Sequence, residues 1–331
     1  MKPLPKPYYT TNHGIAYLGD SREILASGAF DGKADLIMTS PPFALRRKKQ
    51  YGNVEADKYV AWFMDFARLF HSILKPQGSL VIDIGGSWNQ GEPTRSLYHY
   101  ELLIELCKIP GHKFYLAQEF YWYNPSKLPS PAEWVTVRRE RVKDAVNCIW
   151  WFSKEPHPKA DNRRVLKPYS ESMKELLQRG YKPQLRPSGH DISSKFNRNH
   201  NGAIPPNLLE IANTESNSRY LRACRQAGLP PNPARYPHGL PEFFIKFLTE
   251  PGDLVLDPFA GSNVTGEVCE RLGRKWIAIE MIEEYLKGSK FRFDEFCIGD
   301  WFERSGQKAF LLRESRVKYE SSKSQVRKKR H

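Results

Sequence analysis

The sequence predicts an α/β fold in which a mostly parallel, Rossmann-like sheet is covered by helices on both faces. Short apolar runs rich in β-branched residues, such as residues 34–40 and 79–84, stop at Pro41-Pro42 and Gly85-Gly86, as buried strands do. Longer stretches with apolar residues at helical spacing, such as residues 57–74, alternate with these runs. This alternation is typical of parallel sheets, because a helix usually makes each crossover between parallel strands.

The same reasoning assigns the remaining elements in chain order. The helix at 57–74 is closed by Lys75-Pro76-Gln77-Gly78. The pattern then predicts a helix at 97–108 and aromatic-rich strands at 114–123 and 145–152. The core pattern returns near the C-terminal end, with helices expected at 240–248, 263–272 and 282–296 and strands at 253–257 and 275–280.

Composition narrows the class of protein. The chain has 331 residues, a formal net charge of +14 and five cysteines with no close pair. Scattered cysteines argue against a metal site or a disulfide framework and fit a reducing cytoplasm. The longest apolar runs are much shorter than the roughly 18 residues of a membrane span, and no apolar signal segment opens the chain. We therefore expect a soluble cytoplasmic protein that holds no metal. Its positive charge favours nucleic acid as its partner.

The core pattern is interrupted once. Residues 153–235 have weak apolar periodicity and contain 15 Lys and Arg against 7 Asp and Glu. We therefore expect a discontinuous catalytic domain, 1–152 with 236–298, that carries a basic insertion at 153–235. The final stretch, 299–331, is basic and poor in apolar residues, which predicts a disordered tail.

A glycine-containing loop stands where the strand at 253–257 should pass into the next helix. No Lys-Ser/Thr pair follows it, which excludes a P-loop, and its spacing is not Gly-x-Gly-x-x-Gly. Glu280 ends the next strand, where a carboxylate accepts bonds from ribose hydroxyls. A ligand with a nucleoside and no large phosphate fits, and S-adenosylmethionine is the obvious candidate; a plain strand–helix turn is the alternative. The expected loop residues are Asp257, Pro258, Phe259, Ala260, Gly261 and Ser262.

A second loop, Ser40-Pro41-Pro42-Phe43, ends a different strand. Consecutive prolines fix the backbone and remove two donors, so the neighbouring carbonyls face outward without local competitors. Such a rim of acceptors suits an amino group, and Phe43 offers a flat face to a planar base. A simple proline turn remains the alternative interpretation.

The two loops together resemble those of the amino-methylating DNA methyltransferases of type II restriction–modification systems. The catalytic loop precedes the cofactor loop, which is similar to the permuted β group, and the Ser-Pro-Pro form resembles enzymes that methylate cytosine N4. The resemblance extends over roughly residues 10–295, through Gly19-Asp20 and Asn124-Pro125-Ser126-Lys127 among others. Asn263 is a departure, because many relatives have a further glycine there.

The resemblance implies a reaction and its residues. Ser40 and the Pro41 carbonyl would accept the two hydrogens of the target amino group, and Asp83 is the candidate proton acceptor. Asp83 could instead be a structural carboxylate that caps Gly85-Gly86. Asp20 would contact the adenine of the cofactor, and it could also cap the helix that we expect from Ser21. The resemblance also implies duplex DNA as substrate and a cognate restriction endonuclease as functional partner. We expect a monomer, because maintenance methylation acts on one strand at a time.

Two other activities stay open and one is rejected. Methylation at cytosine C5 needs a cysteine after a proline, and none of the five cysteines has a proline before it. Methylation of adenine N6 needs the same acceptor rim and remains possible. A non-enzymatic nucleic-acid-binding protein would be expected to lose the rim or the cofactor loop, yet both are present.

Contacts to DNA are predicted from charge and position. An extruded base needs aromatic surface, for which Tyr121 or Tyr123 could pair with Phe43. We expect phosphate contacts from the basic run that follows Phe43 and a second face at Arg138–Lys143, and sequence reading from the insertion. The residues proposed to bind DNA are Arg46, Arg47, Lys48, Lys49, Arg186, His190, Lys195 and Arg198.

Overall fold

A computed structural model describes residues 3–44, 54–180, 198–214 and 218–293. Its centre is a nine-stranded sheet in the order β1-β2-β9-β8-β3-β4-β6-β5-β7. The strands are β1 Tyr9–Thr10, β2 Gly14–Leu18, β3 Ala34–Thr39, β4 Leu74–Ile84, β5 Tyr115–Tyr123, β6 Val146–Ser153, β7 Leu208–Glu210, β8 Leu254–Asp257 and β9 Lys275–Glu280. The α-helices are α1 Ser21–Leu25, α2 Ala56–Ile73, α3 Tyr98–Leu106, α4 Glu171–Arg179, α5 Arg219–Gln226, α6 Gly239–Leu248, α7 Val264–Leu272 and α8 Glu283–Ser289.

Five neighbouring strands, β2-β9-β8-β3-β4, run parallel, so their carboxyl ends share one edge of the sheet. β6 pairs antiparallel with both β4 and β5, and β7 joins β5 in parallel. The mostly parallel sheet predicted from the sequence is thus confirmed. Ligands bind beyond the carboxyl ends of such strands, and both predicted loops leave the sheet at this edge.

Side chains of the central strands alternate between two apolar cores. On β3, Ile37 packs into the core formed with α2 and α3, while Leu36 and Met38 pack into the core formed with α6 and α7. Each face of the sheet is therefore covered by helices, as a doubly wound sheet requires. No helix in the described part of the chain combines the length and the apolar character needed to cross a membrane.

The predicted elements are present, with two differences in extent. β4 starts at Leu74 rather than at residue 79, because Leu74 pairs with Ala34 and the register then shifts before Leu36. The helix expected over 282–296 is α8, which stops at Ser289 and is followed by a 3₁₀ turn, Lys290–Arg292. Residues beyond 293, including the predicted tail, lie outside the described residues.

The range expected to form the insertion contributes to the core at several places, among them the 3₁₀ turn Asn162–Val165, which packs against α6. β7 extends the sheet beyond β5, and α5 packs against α8 and the 3₁₀ turn Lys290–Arg292. Earlier in the range, α4 has no buried residue, and it begins with Ser170 accepting a hydrogen bond from the Met173 amide. α4 therefore contributes no buried side chain to the core, whereas β7 and α5 support the sheet.

Candidate functional site

Both predicted loops line one cavity of about 520 Å³ at the carboxyl edge of the sheet. They also touch directly, since Thr39 Oγ1 donates to Asp257 Oδ1 over 2.8 Å at the ends of β3 and β8. Two loops far apart in the sequence thus meet at the carboxyl edge of the sheet, as the sequence pattern predicts. The predicted residues that line the cavity are Asp20, Ser40, Pro41, Pro42, Phe43, Asp83, Pro258, Phe259, Ala260, Gly261, Ser262 and Glu280.

One end of the cavity is built around the buried Glu280 carboxylate. Its Oε2 accepts the Gly261 amide at 2.7 Å and its Oε1 accepts the Ile282 amide at 2.9 Å. Burial raises the pKa of Glu280, whereas these two amides lower it. Each carboxylate oxygen keeps a lone pair, so Glu280 can accept further hydrogen bonds from hydroxyl groups in the cavity.

Gly261 allows the chain to approach this carboxylate closely. It has φ +54, a left-handed conformation, and a Cβ there would lie 2.3 Å from Asn232 Nδ2. The turn thus needs glycine both for its backbone conformation and for space. A narrow cradle with an acceptor carboxylate fits a nucleoside with free ribose hydroxyls, which is the cofactor class expected from the sequence.

The structure does not bring the Asp257 carboxylate to the cavity. Asp257 is 2% exposed and accepts hydrogen bonds from Thr39, Thr265 and the Phe259 amide. Burial raises its pKa, and these donors oppose that rise. We therefore revise its expected role, because a carboxylate whose oxygens are occupied beneath the loop positions the loop rather than contacting a cofactor.

Asp20 has the capping role expected for it and also lines the cavity. As N-cap of α1 it accepts the Arg22 amide at 2.8 Å, and it forms an ion pair with the Arg22 guanidinium at 2.8 Å. Hydrogen bonding to Arg22 lowers the pKa of Asp20, so it is an anion that also lines the cavity. The helix predicted to begin at Ser21 does begin there.

Arg292 holds the cofactor turn from outside the cavity, through its bonds to Ser262. Arg292 is buried, and its Nε donates to the Ser262 carbonyl at 2.6 Å while Nη2 donates to Ser262 Oγ at 3.0 Å. Its Nη1 pairs with Glu267 at 2.7 Å, and the guanidinium lies 4.3 Å from the centre of the Tyr220 ring. No sequence signal marked Arg292, which fell inside the predicted last helix.

The other end of the cavity holds the predicted catalytic pair. Ser40 Oγ donates to Asp83 Oδ2 at 3.0 Å, and Asn147 Nδ2 donates to Asp83 Oδ1 at 3.2 Å. Asp83 is 2% exposed, and burial raises its pKa to about 6. Because Ser40 gives its hydrogen to Asp83, the lone pairs of its oxygen are available to accept a hydrogen bond from a ligand.

Aromatic side chains enclose this end. The Phe43 ring lies against Gly85, where a Cβ would come within 2.6 Å of Phe43 Cε2. Trp122 lines the cavity, whereas its strand neighbours Tyr121 and Tyr123 do not. The expectation that one of these tyrosines faces Phe43 is wrong, because neighbouring side chains of a strand point to opposite faces.

Most of the residues predicted to bind DNA lie outside the described part of the chain: Arg46, Arg47, Lys48, Lys49, Arg186, His190 and Lys195. Arg198 is exposed and is not among the residues that line the cavity. These assignments stay predictions. In the second basic face, Arg138 pairs with Glu133, and Arg141 donates to the Pro93 carbonyl at 2.9 Å.

Comparison with known proteins agrees with this geometry. A family model described as DNA methylase, of the N6/N4 type, matches residues 34–291. The type II methyltransferase M.PvuII of Proteus hauseri is 55% identical over 291 residues, which cover 87% of this chain and 86% of that protein. The DNA adenine methyltransferase YhdJ of Escherichia coli K12 is 26% identical over 86% of this chain and 82% of its own length.

Solved structures give the same result. The PvuII DNA methyltransferase, described as cytosine-N4-specific, has a TM-score of 0.72 and 48% identity, with 90% of this chain and 94% of that chain covered. A DNA modification methylase from Thermus thermophilus, complexed with S-adenosyl-L-methionine, shares the fold with a TM-score of 0.52 at 20% identity, covering 86% and 95% of the two chains. As the resemblance in its sequence implied, this chain belongs to the family of N6/N4 DNA methylases.

Proposed function

We propose that this DNA methylase transfers the methyl group of S-adenosylmethionine to the exocyclic N4 amino group of cytosine in a specific duplex sequence. One observation carries the proposal. The Ser40 hydroxyl, bonded to the buried Asp83, faces the same cavity as the Gly261–Glu280 turn. The Ser-Pro-Pro form of the loop favours cytosine. M.PvuII is 55% identical to this chain, and the structure of the PvuII DNA methyltransferase is described as cytosine-N4-specific.

The residues of the cofactor end match S-adenosylmethionine in chemistry. Glu280 would accept the ribose hydroxyls, and the Asp20 carboxylate would accept the adenine amino group. The small residues Ala260 and Gly261 allow the ligand to approach the backbone. The bound cofactor supplies an electrophilic methyl group on a sulfonium.

The catalytic end compensates for a poor nucleophile. The lone pair of a cytosine amino nitrogen is delocalised into the ring, which weakens its attack on a methyl carbon. Acceptance of the amino hydrogens by Ser40 Oγ and the Pro41 carbonyl would localise that lone pair, so catalysis comes from positioning and electrostatics. After transfer, N4 must lose one proton, which passes to Ser40 Oγ as the Ser40 hydrogen moves to Asp83. Asp83 can take this proton because burial raises its pKa to about 6.

The DNA-binding role is assigned by position. The target amino group lies inside the duplex, so the base must leave the stack to reach the cavity. We assign Arg46–Lys49, which follow the catalytic loop, to phosphate contacts that give affinity without sequence preference. We assign sequence reading to the insertion at 153–235, with Arg186, His190, Lys195 and Arg198 as candidate residues, and the catalytic role to 1–152 with 236–298.

The proposal also covers biological context. We infer that the protein acts as a monomer in the cytoplasm and protects host DNA from a cognate endonuclease that cuts the same sequence. A monomer suffices, because maintenance methylation modifies one strand at a time.

The test is methylome sequencing of a host that expresses this chain, together with mass spectrometry of its digested nucleosides. The proposal predicts N4-methylcytosine at one short motif. N6-methyladenine at one motif would instead support the second candidate function, methylation of adenine N6. The 26% identity to a DNA adenine methyltransferase is the observation that favours this candidate. DNA without any methyl mark would support a non-enzymatic binding protein.

A further inference from the structure

One segment of the chain lies between residues that line the cavity. We call residues 125–144 the rim segment. It is flanked by cavity-lining residues at both ends, Asn124 before it and Ala145 and Asn147 after it, and Lys127 within it also lines the cavity. The rim segment is therefore the stretch of chain that adjoins the cavity on both sides of Lys127.

The start of the rim segment is held in place by several hydrogen bonds. Lys143 Nζ donates to the carbonyls of Pro125 and Lys127 at 3.2 and 3.4 Å. Asn124 Oδ1 accepts the Ser126 amide at 3.1 Å, and the Lys127 amide donates to the Asn124 carbonyl at 3.1 Å. These bonds restrain residues 124–127, directly before Leu128, and such restraint lowers the entropy lost on binding.

The residue after this restrained turn presents a large apolar side chain to solvent. Leu128 is 80% exposed, although its neighbour Lys127 lines the cavity. Val137 and Val142, at 69% and 88%, are also exposed on the rim segment. Single exposed apolar residues are common on protein surfaces. Leu128 differs in its place, next to the opening through which a base would pass.

We propose that Leu128 enters the base stack of the duplex and fills the space that the target cytosine leaves. The inference rests on the proposed function, because it needs a base to be extruded. Extrusion leaves two neighbouring base pairs without a stacking partner, and leucine is among the apolar side chains that insert between base steps. Leu128 would therefore stabilise the extruded state rather than the chemical step.

Three variants test this role: Leu128→Ala, which removes the wedge, Leu128→Met, which keeps an apolar side chain of similar volume, and Val142→Ala as matched control. Each is assayed for kcat/KM on two duplexes that carry the motif found by methylome sequencing. In one the target cytosine is paired with guanine, and in the other it is mispaired with adenine. A mispaired base leaves the stack at lower cost, so the second duplex needs the wedge less.

We expect Leu128→Ala to lower kcat/KM on the paired duplex by about tenfold or more, and on the mispaired duplex by less than about threefold. Leu128→Met and Val142→Ala should stay within about threefold of the wild type on both. Cofactor affinity, measured by calorimetry, should not change.

Three results would overturn the inference: unchanged activity of Leu128→Ala on the paired duplex, an equal loss on both duplexes, or an equal loss in Val142→Ala. Failure of the proposed function is a different result, because the wild type itself would then methylate neither duplex.

Discussion

The two loops that meet in the cavity are stabilised in different ways. In the cofactor loop, residues 257–262, hydrogen bonds from within the protein occupy the Asp257 carboxylate and the Ser262 carbonyl. In the catalytic loop, residues 40–43, two prolines restrict the backbone, and one side-chain bond joins Ser40 to Asp83. The cofactor loop is thus a closed network, whereas the catalytic loop keeps acceptors free for a substrate.

This difference implies that binding and chemistry can be separated by mutation. The Ser40–Asp83–Asn147 bonds share no residue with the network of Glu280, Gly261 and Arg292. Sites without shared partners usually contribute independently to the free energy. Changes in the catalytic loop should therefore lower turnover at normal cofactor affinity, and changes around the cofactor loop should do the reverse.

The largest effect is expected for Ser40→Ala. It removes one acceptor of the amino hydrogens and the link to Asp83, so turnover should fall by about 10²–10⁴-fold, the usual contribution of general acid–base groups. Methyl transfer to duplex DNA and cofactor affinity by calorimetry are measured on the same preparation. Ser126→Ala, at an exposed position near the cavity, is the control. Normal turnover in Ser40→Ala would remove Ser40 from the mechanism.

Asp83 adds a pH dependence to the catalytic loop. Its pKa is raised to about 6 by burial, and only the ionised carboxylate can take the proton. Turnover of the wild type should therefore fall about tenfold per pH unit below about pH 6. Asp83→Asn should be slow at every pH and lack this acidic limb. A limb that survives in Asp83→Asn would mean that another group titrates.

The same shift makes a prediction for stability, with the opposite direction from activity. The folded-state pKa of Asp83, about 6, lies above its ordinary value of 3.8, so folding favours the protonated form. Its contribution to the free energy of unfolding is present at low pH and is lost as pH rises through about 6. Two pKa units correspond to about 3 kcal/mol at most. Asp83→Asn should thus raise the denaturant midpoint at pH 7.5 but not at pH 4.

The contrast between the loops also shows what the sequence could and could not predict. Ser40, Asp83, Gly261 and Glu280 follow strands whose apolar runs are local, so their meeting at one edge could be predicted from pattern and sheet geometry. The direction of β6 and the role of Arg292 could not, since both depend on contacts between distant segments.

Short strands were missed for the same reason. β2 depends on its pairing with β9, which lies far away in the sequence. Its Gly14 leaves room for the Trp276 ring of β9, because a Cβ at Gly14 would lie 1.9 Å from that ring. β7 has three residues and pairs with β5, whose partner residues stand 87 positions earlier in the chain. No local period marks either strand.

At the cofactor loop, Glu280→Gln should lower cofactor affinity about 10–100-fold, with kcat near normal at saturating cofactor. The amide replaces one acceptor oxygen by a donor, which would then face the Gly261 or Ile282 amide. Calorimetry gives the affinity, and turnover at high cofactor concentration gives kcat. The control is Glu283→Gln, a partly exposed residue three positions later that pairs with Lys287 and accepts a hydrogen bond from Tyr8. Unaltered affinity would place the ribose elsewhere.

The smallest effect is expected for Arg292→Lys, because Arg292 supports the cofactor loop from outside the cavity. This variant tests most directly whether the cofactor loop and the catalytic loop act independently. Arg292→Lys keeps the charge but cannot reproduce the fork that holds both the Ser262 carbonyl and its hydroxyl. We expect cofactor affinity to fall several-fold, about 1 kcal/mol for one lost hydrogen bond, with kcat and the acidic pH limb unchanged. Lys287→Gln, which breaks only an exposed ion pair with Glu283, is the control. If Arg292→Lys instead lowered kcat or moved the pH limb, the two loops would be coupled, and their separate stabilisation could not explain how binding and chemistry are divided.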